Sequence, residues 1–373
     1  MKMTFAAPCL FGLESILAGE VRRMGGEDVT VTDGRVTFTG DWTMLARANL
    51  TLRTAERVQI LLGEFEARTF TELFDGVKKL PLEAFIGRQD AFPVKGHSVH
   101  SALYSIPDCQ KIIKKAAVDR LGEVYGVSWF EETGPVHQLQ FTILRDRVSL
   151  MLDTSGPGLH KRGYRRNAGG APIKETLAAG MIDLAFVKPD TVFCDPFCGS
   201  GTLVIEAAMK ALNVPAGLHR TFAAQKWDCV PAEVWRQERT RGLDLIRRDA
   251  TFTAYGSDLD GNILEVALDN ARKAGVPRRV HLRQADIDQF QPPEGAVVVT
   301  NPPYGERLLD QQQAREILTR MGKVFQPGKA AYHVISPDQE LERWFGRRAD
   351  KRRKLYNGML RCQLYSWIPP RRR

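Results

Sequence analysis

The sequence predicts an α/β protein: a doubly wound, Rossmann-like parallel sheet in the C-terminal half, preceded by smaller α+β units. Three observations carry this. From residue 173 onward, apolar strand-like runs alternate with amphipathic helical segments, the pattern of a parallel sheet with crossover helices. The string DPFCGSGT, Asp195–Thr202, follows one such run and opens a helix, where a ligand loop sits in a doubly wound sheet. The stretch Thr154–Pro172, TSGPGLHKRGYRRNAGGAP, is rich in glycine, proline and cations and has no periodicity, so it reads as a connector.

At 373 residues the chain is too long for one ordinary domain, and 43% hydrophobic residues supply real cores. The expected boundaries are 1–55 and 56–155 for two N-terminal units, 156–172 for the connector and 173–373 for the large domain. In the first unit, helical periodicity spans Gly12–Met24 and strand alternation spans Val29–Thr39. In the second, Ala91–His100 reads as a strand, Ile106–Asp108 as a turn and Cys109–Leu121 as an amphipathic helix. Lys111, Lys114 and Lys115 lie mostly off that helix's apolar stripe, where amines can meet phosphate. His137–Leu144 and Arg147–Asp153 read as strands. In the large domain the expected strands are Thr191–Cys194, Ala254–Ser257, Val280–Gln284, Ala296–Thr300 and Ala330–Ile335. The helices between them are Lys174–Phe186, Gly201–Leu212, Asn262–Ala274 and Gln311–Val324. The tail, Lys354–Leu355 and then Gly358–Ser366, reads as a closing hairpin.

The net charge of +9 suggests a polyanionic partner. Basic runs occur at His160–Arg166 (HKRGYRR), Arg347–Lys354 (RRADKRRK) and Arg371–Arg373, the last reading as a solvated tail. HKRGYRR interleaves an aromatic ring with cations, which suits RNA backbone and bases, and nominates His160, Lys161, Arg162, Tyr164, Arg165 and Arg166. The six cysteines form no CxxC pair, which argues against a zinc ribbon or a disulfide framework and for a reducing cytosol. No run of apolar residues approaches membrane-spanning length, and the start lacks the layout of a signal peptide, so a soluble cytoplasmic protein is expected.

Four motifs carry chemistry. In DPFCGSGT, Gly199 and Gly201 let the backbone turn sharply and approach a ligand. A dinucleotide loop needs a third glycine, but Val204 stands there, and Asp195 would repel a pyrophosphate. A ligand bearing an amino group or sulfonium suits that acid, with Asp195, Pro196, Phe197, Cys198, Gly199, Ser200, Gly201 and Thr202 around it. Cys194 and Cys198 read as small fillers. Asp258, in GSDLD, ends the next strand, where a carboxylate can accept from both hydroxyls of a ribose. Asp286, in QADIDQF, follows the third strand and is placed for an adenine amine, with helix capping by it or by Asp288 as the structural alternative. In NPPYGER, after the fourth strand, Pro302 and Pro303 stiffen the loop. The Asn301 side-chain oxygen and the Pro302 carbonyl can then accept both hydrogens of a planar –NH2 group, while Tyr304 offers a stacking face. No histidine or cysteine lies in that loop, and an amine nucleophile needs no strong base.

From Lys174 to the C-terminus the chain resembles a class I methyltransferase domain of the amino-methylating type, whose sheet has seven strands. FPVKGHSVHSALYSIPDCQKIIKKAAVDRL, from Phe92, resembles a THUMP domain, an RNA-binding module usually preceded by a small ferredoxin-like domain. The order THUMP, HKRGYRR, PIKETLAA, DPFCGSGT, NPPYGER is similar to the bacterial THUMP-containing 23S rRNA guanine-N2 methyltransferases over nearly the whole chain, and Asn213–Asp249 matches their insertion. The resemblance implies S-adenosylmethionine as cofactor, contacted by Asp195–Thr202, Asp258 and Asp286. It also implies that Asn301–Tyr304 hold the N2 amine of a guanine in structured RNA, with no metal and with the base leaving its stack. Related tRNA guanine-N2 methyltransferases share the layout, and Asn-Pro-Pro-Tyr serves adenine-N6 amines of DNA or RNA equally well. A structural RNA-binding assembly factor with a relict domain is the reading from a different class.

Overall fold

The computed structural model describes residues 2–165, 173–304 and 311–370. The N-terminal half comprises β1 (Met3–Pro8), α1 (Glu14–Arg23), β2 (Glu27–Thr32), β3 (Arg35–Gly40), α2 (Trp42–Thr51), β4 (Gln59–Glu66) and α3 (Phe70–Lys78). It continues with β5 (Val94–Val99), α4 (Ile106–Tyr125), β6 (Leu139–Leu144) and β7 (Arg147–Asp153). All seven strands form one sheet, in the order β2-β3-β1-β4-β7-β6-β5. The two N-terminal units are therefore joined, because β1 pairs antiparallel with β4 through Phe5–Ile60 and Ala6–Gln59. Phe5, Ala6 and Ala7 are all fully buried, as residues of a strand covered on both faces must be.

Two local expectations are corrected. Val29–Thr39 is a hairpin rather than one strand, since Gly34 takes a positive φ of 69° and reverses the chain between β2 and β3. Ile106–Asp108 is the first turn of α4, where Pro107 is tolerated because its missing N–H would have no helical partner.

The C-terminal half contains α5 (Glu175–Leu184), β8 (Val192–Asp195), α6 (Thr202–Ala211), α7 (Ala232–Asp244), β9 (Thr253–Asp258), α8 (Gly261–Lys273) and β10 (Val280–Gln284). β11 (Val297–Thr300), α9 (Gln311–Val324), β12 (Ala331–Ser336), α10 (Leu341–Phe345), β13 (Lys351–Asn357) and β14 (Leu360–Trp367) complete it. The strand order is β10-β9-β8-β11-β12-β14-β13, parallel from β10 to β12 and antiparallel at the closing hairpin. The order reverses direction between β8 and β11, which puts the ligand crevice beyond their carboxyl ends. Gly358, expected to begin the last strand, lies instead in the hairpin turn. Among the described residues no helix is long and apolar enough to cross a membrane.

The halves interlock. Phe222, Trp227 and Trp235, from the chain between β8 and β9, are buried in the core of the N-terminal half. Trp227 stacks on His137 with ring centroids 4.3 Å apart and donates Nε1–H to the Val136 carbonyl at 3.0 Å. In the reverse direction, Leu13 and Ile16 of the N-terminal half sit in the core of the large domain.

The connector is no solvated linker over its described part. Thr154, Ser155, Arg162 and Tyr164 are buried. The Arg162 guanidinium meets the Glu206 carboxylate of α6 at 3.2 and 3.3 Å and donates to the carbonyls of Leu159 at 2.9 Å and Arg53 at 2.6 Å. Glu206→Gln should lower the unfolding free energy by about 3–5 kcal/mol in urea titrations of the full chain, because it strands a buried guanidinium. Replacing both partners, Arg162→Met with Glu206→Leu, should cost clearly less than Glu206→Gln alone.

Candidate active site

The loop after β8 is tied down on both sides. Asp195, 1% exposed, accepts through Oδ1 from the Phe197 N–H at 3.1 Å and from the Thr300 hydroxyl at 2.6 Å, joining the end of β8 to the end of β11. On the other side, the Cys198 N–H reaches the Ser257 carbonyl at 2.9 Å and the Gly199 N–H reaches Asp258 Oδ2 at 3.0 Å. Gly199 and Gly201 have φ of +49° and +87°, a region side chains rarely adopt. A Cβ on Gly201 would stand 3.1 Å from that of Ala267 on α8, whereas one on Gly199 would meet open space. The glycine loop is thus closed toward the protein and open toward the crevice. The Ser200 hydroxyl is buried without a hydrogen-bond partner among the described residues, while its carbonyl accepts from Asn270 Nδ2 at 3.0 Å. Pro196 lies between these anchors, and Thr202 begins α6. Cys194 and Cys198 are buried; burial pushes the Cys194 thiol up to about 12, so neither behaves as a reactive thiolate.

Asp258 also accepts from the Asp260 N–H at 3.1 Å, so its carboxylate organises the turn it ends. Asp286 caps a short 3-10 turn at 287–289, accepting from the Asp288 N–H at 2.9 Å. It also pairs with Arg320 of α9, a partner far away in sequence that local patterning does not show. On the fourth-strand loop, Pro302 is buried and the Asn301 Oδ1 atom is buried with no hydrogen-bond partner among the described residues. Tyr304 Oη accepts from Asn357 Nδ2 at 2.7 Å, which brings the end of β13 into the site. Gly305, Glu306 and Arg307 of the motif lie outside the described residues.

The nominated RNA contacts divide. Arg162 and Tyr164 turn inward to Glu206, a correction forced by burial: a guanidinium already saturated by a carboxylate and two carbonyls cannot also face phosphate. Arg165 pairs with Glu175 at 3.3 Å and donates to the Thr202 hydroxyl, bracing α6 at the glycine loop. Lys114 is held by Glu132 and lies 3.4 Å from the Phe92 ring centroid. His160 sits 3.6 Å from Glu56. Lys111, Lys115 and Lys161 are exposed, and Arg166 lies outside the described residues. Among the described residues no three His, Cys, Asp or Glu side chains are grouped to hold a metal ion.

A sheet of this order, with a glycine loop after its first strand, an acid ending its second and Asn-Pro-Pro-Tyr after its fourth, defines a class I methyltransferase. Family models agree with the geometry: an RlmL ferredoxin-like domain matches residues 4–59, a THUMP domain 67–153 and an RMKL-like methyltransferase domain 162–366. The protein named "Putative RNA methyltransferase YpsC" of Bacillus subtilis is 40% identical over 98% of this chain and 96% of its own. The ribosomal RNA large subunit methyltransferase K/L of Psychromonas ingrahamii is 33% identical over 99% of this chain, which spans only 51% of that longer protein. Among solved structures, SMU.472, a methyltransferase-like protein complexed with SAH, superposes with a TM-score of 0.93 at 39% identity, covering 100% of this chain and 99% of its own. A Listeria monocytogenes protein, described as a predicted N6-adenine-specific DNA methylase, superposes at 0.94 with 43% identity over 99% and 97%. The chain belongs to the RlmKL-like family of THUMP-containing methyltransferases.

Burial pushes the Asp195 carboxyl up to about 7 from its ordinary 3.8, and the Asp258 charge adds to this against the Thr300 and Phe197 hydrogen bonds. A carboxyl raised in the folded state keeps its proton where the unfolded chain has lost it, so stability falls as pH climbs from about 4 to about 7. Asp195→Asn should flatten that part of the stability–pH profile by a few kcal/mol, at about 1.4 kcal/mol per pH unit, in denaturant unfolding at successive pH values.

Proposed function

We propose that this methyltransferase transfers the methyl group of S-adenosylmethionine to the exocyclic N2 amine of a guanine in structured RNA, with 23S rRNA as the substrate. The observation that carries the reading is the Asn301 side-chain oxygen, buried without a partner among the described residues on a proline-stiffened loop at the end of β11. An unpaired buried acceptor is costly unless a ligand's donor satisfies it. The orphaned Ser200 hydroxyl and the open face of Gly199 fit a cofactor at the glycine loop, with Asp258 and Asp286 at the neighbouring strand ends to hold its ribose and adenine. When bound, S-adenosylmethionine supplies an already activated methyl group on a sulfonium.

The chain's own residues then have to position an amine. Asn301 Oδ1 and the Pro302 carbonyl accept the two N–H bonds, drawing the nitrogen lone pair out of conjugation with the base. Tyr304, oriented by Asn357, offers the face on which the base stacks. Alignment of this kind supplies most of the rate when the donor needs no activation. The methylated amine is acidic enough to release its proton without a dedicated base. RNA as substrate is supported by the THUMP match and by the names of the Bacillus and Psychromonas relatives. The Listeria neighbour's description favours an adenine amine of DNA as a second reading.

Tritiated methyl transfer to unmodified 23S rRNA, tRNA and DNA, with the product nucleoside identified by mass spectrometry, separates these. N2-methylguanosine in rRNA is expected; label in DNA alone would overturn the proposal. Asn301→Ala should lower the transfer rate about 100-fold or more while leaving the dissociation constant for S-adenosylhomocysteine within a few-fold, as calorimetry would show.

A further inference from the structure

We propose that the β13–β14 hairpin is the element that opens the RNA: Met359 at its tip enters the stack that the target base leaves, while Lys354 and, farther back along β13, Lys351 contact phosphates of the flanking backbone. The inference rests on the RNA reading above. A stacked base cannot present its amine to Asn301, so it must be turned out, and the vacated stack needs an apolar filler.

The hairpin is closed by the Asn357–Leu360 pair, leaving Gly358 (φ +64°) and Met359 in the turn. Met359 is 99% exposed, more than any other large apolar side chain among the described residues. A lone exposed apolar residue is ordinary on a protein surface. This one is tethered to the site: Asn357, two residues away and hence within about 7–8 Å along the backbone, is the donor to Tyr304 Oη. Methionine is also unbranched and polarisable, properties suited to sliding between bases.

The finger is held from behind. Phe11 of the N-terminal half packs edge-on against Tyr356, centroids 6.1 Å apart, and Arg353 donates to the Gly12 carbonyl at 2.6 Å. The same half that contains the THUMP domain therefore fixes where the tip points. Lys351–Lys354, the basic run KRRK, are all exposed along β13, the edge strand of the sheet. Arg352 pairs with Glu342 and Arg353 with the Gly12 carbonyl, leaving Lys351 and Lys354 as the amines facing outward, the latter 5.3 Å from the Tyr356 ring centroid. Charges on an edge strand also discourage sheet-to-sheet pairing, but that account does not call for a bare methionine at the tip.

The test uses the full chain and transcribed, unmodified 23S rRNA under single-turnover conditions with saturating RNA. Met359→Ala and Met359→Ser should each slow methyl transfer at least 10-fold, Met359→Leu should retain the wild-type rate, and S-adenosylhomocysteine affinity should be unchanged in all three. Lys351→Gln with Lys354→Gln should weaken RNA binding and flatten its log–log salt dependence by about 2. Wild-type rates in the alanine and serine variants, or a loss that saturating RNA restores, would overturn the wedge while leaving the substrate assignment intact. No transfer to the transcript by the wild-type chain would overturn the assignment and the wedge with it.

Discussion

A single buried carboxylate holds the reacting region together. Asp195 ends β8 with almost no solvent contact, and one of its oxygens receives both the Phe197 N–H of the glycine loop and the Thr300 hydroxyl at the end of β11. The loops after β8 and β11 belong to adjacent strands, but adjacency alone does not fix their spacing. The shared acceptor does, and methyl transfer depends on that spacing because alignment is most of what the protein contributes. The cost is visible in the raised proton affinity of Asp195. A group this buried tolerates full charge only where cations or donors accompany it.

Around that centre the chain is braced rather than hinged. Trp227 stacks under the THUMP sheet, Leu13 plugs the large domain, and Arg162 with Glu206 fills the seam between them. A nucleic acid gripped by the N-terminal half would therefore meet the crevice at an offset set by this packing. Arg165 carries the same bracing to the first residue of α6, at the glycine loop.

Much of this was legible in the sequence. Strand and helix placement in the large domain followed from apolar patterning, and β10 and α9 fall on the expected residues, α9 burying Ala314, Leu318 and Met321 at helical spacing. The loops at Asp195 and Asn301 were readable because proline, glycine and acid at those positions constrain the backbone locally, whatever surrounds them. The family resemblance added the adenosyl cofactor and the RNA-binding module to that reading.

Tertiary structure alone decided the pairings between segments distant in sequence. That β1 and β4 merge two units into one sheet depends on a two-residue contact with no local signature. The inward turn of Arg162 depends on Glu206, and the support of Tyr304 on Asn357, 53 residues away. Cations look alike in a sequence whether they face phosphate or a buried carboxylate, because composition records charge but not its partner. The sequence by itself determined where the backbone is constrained, after β8 and after β11; packing determined which side chains around those loops are already engaged by a partner.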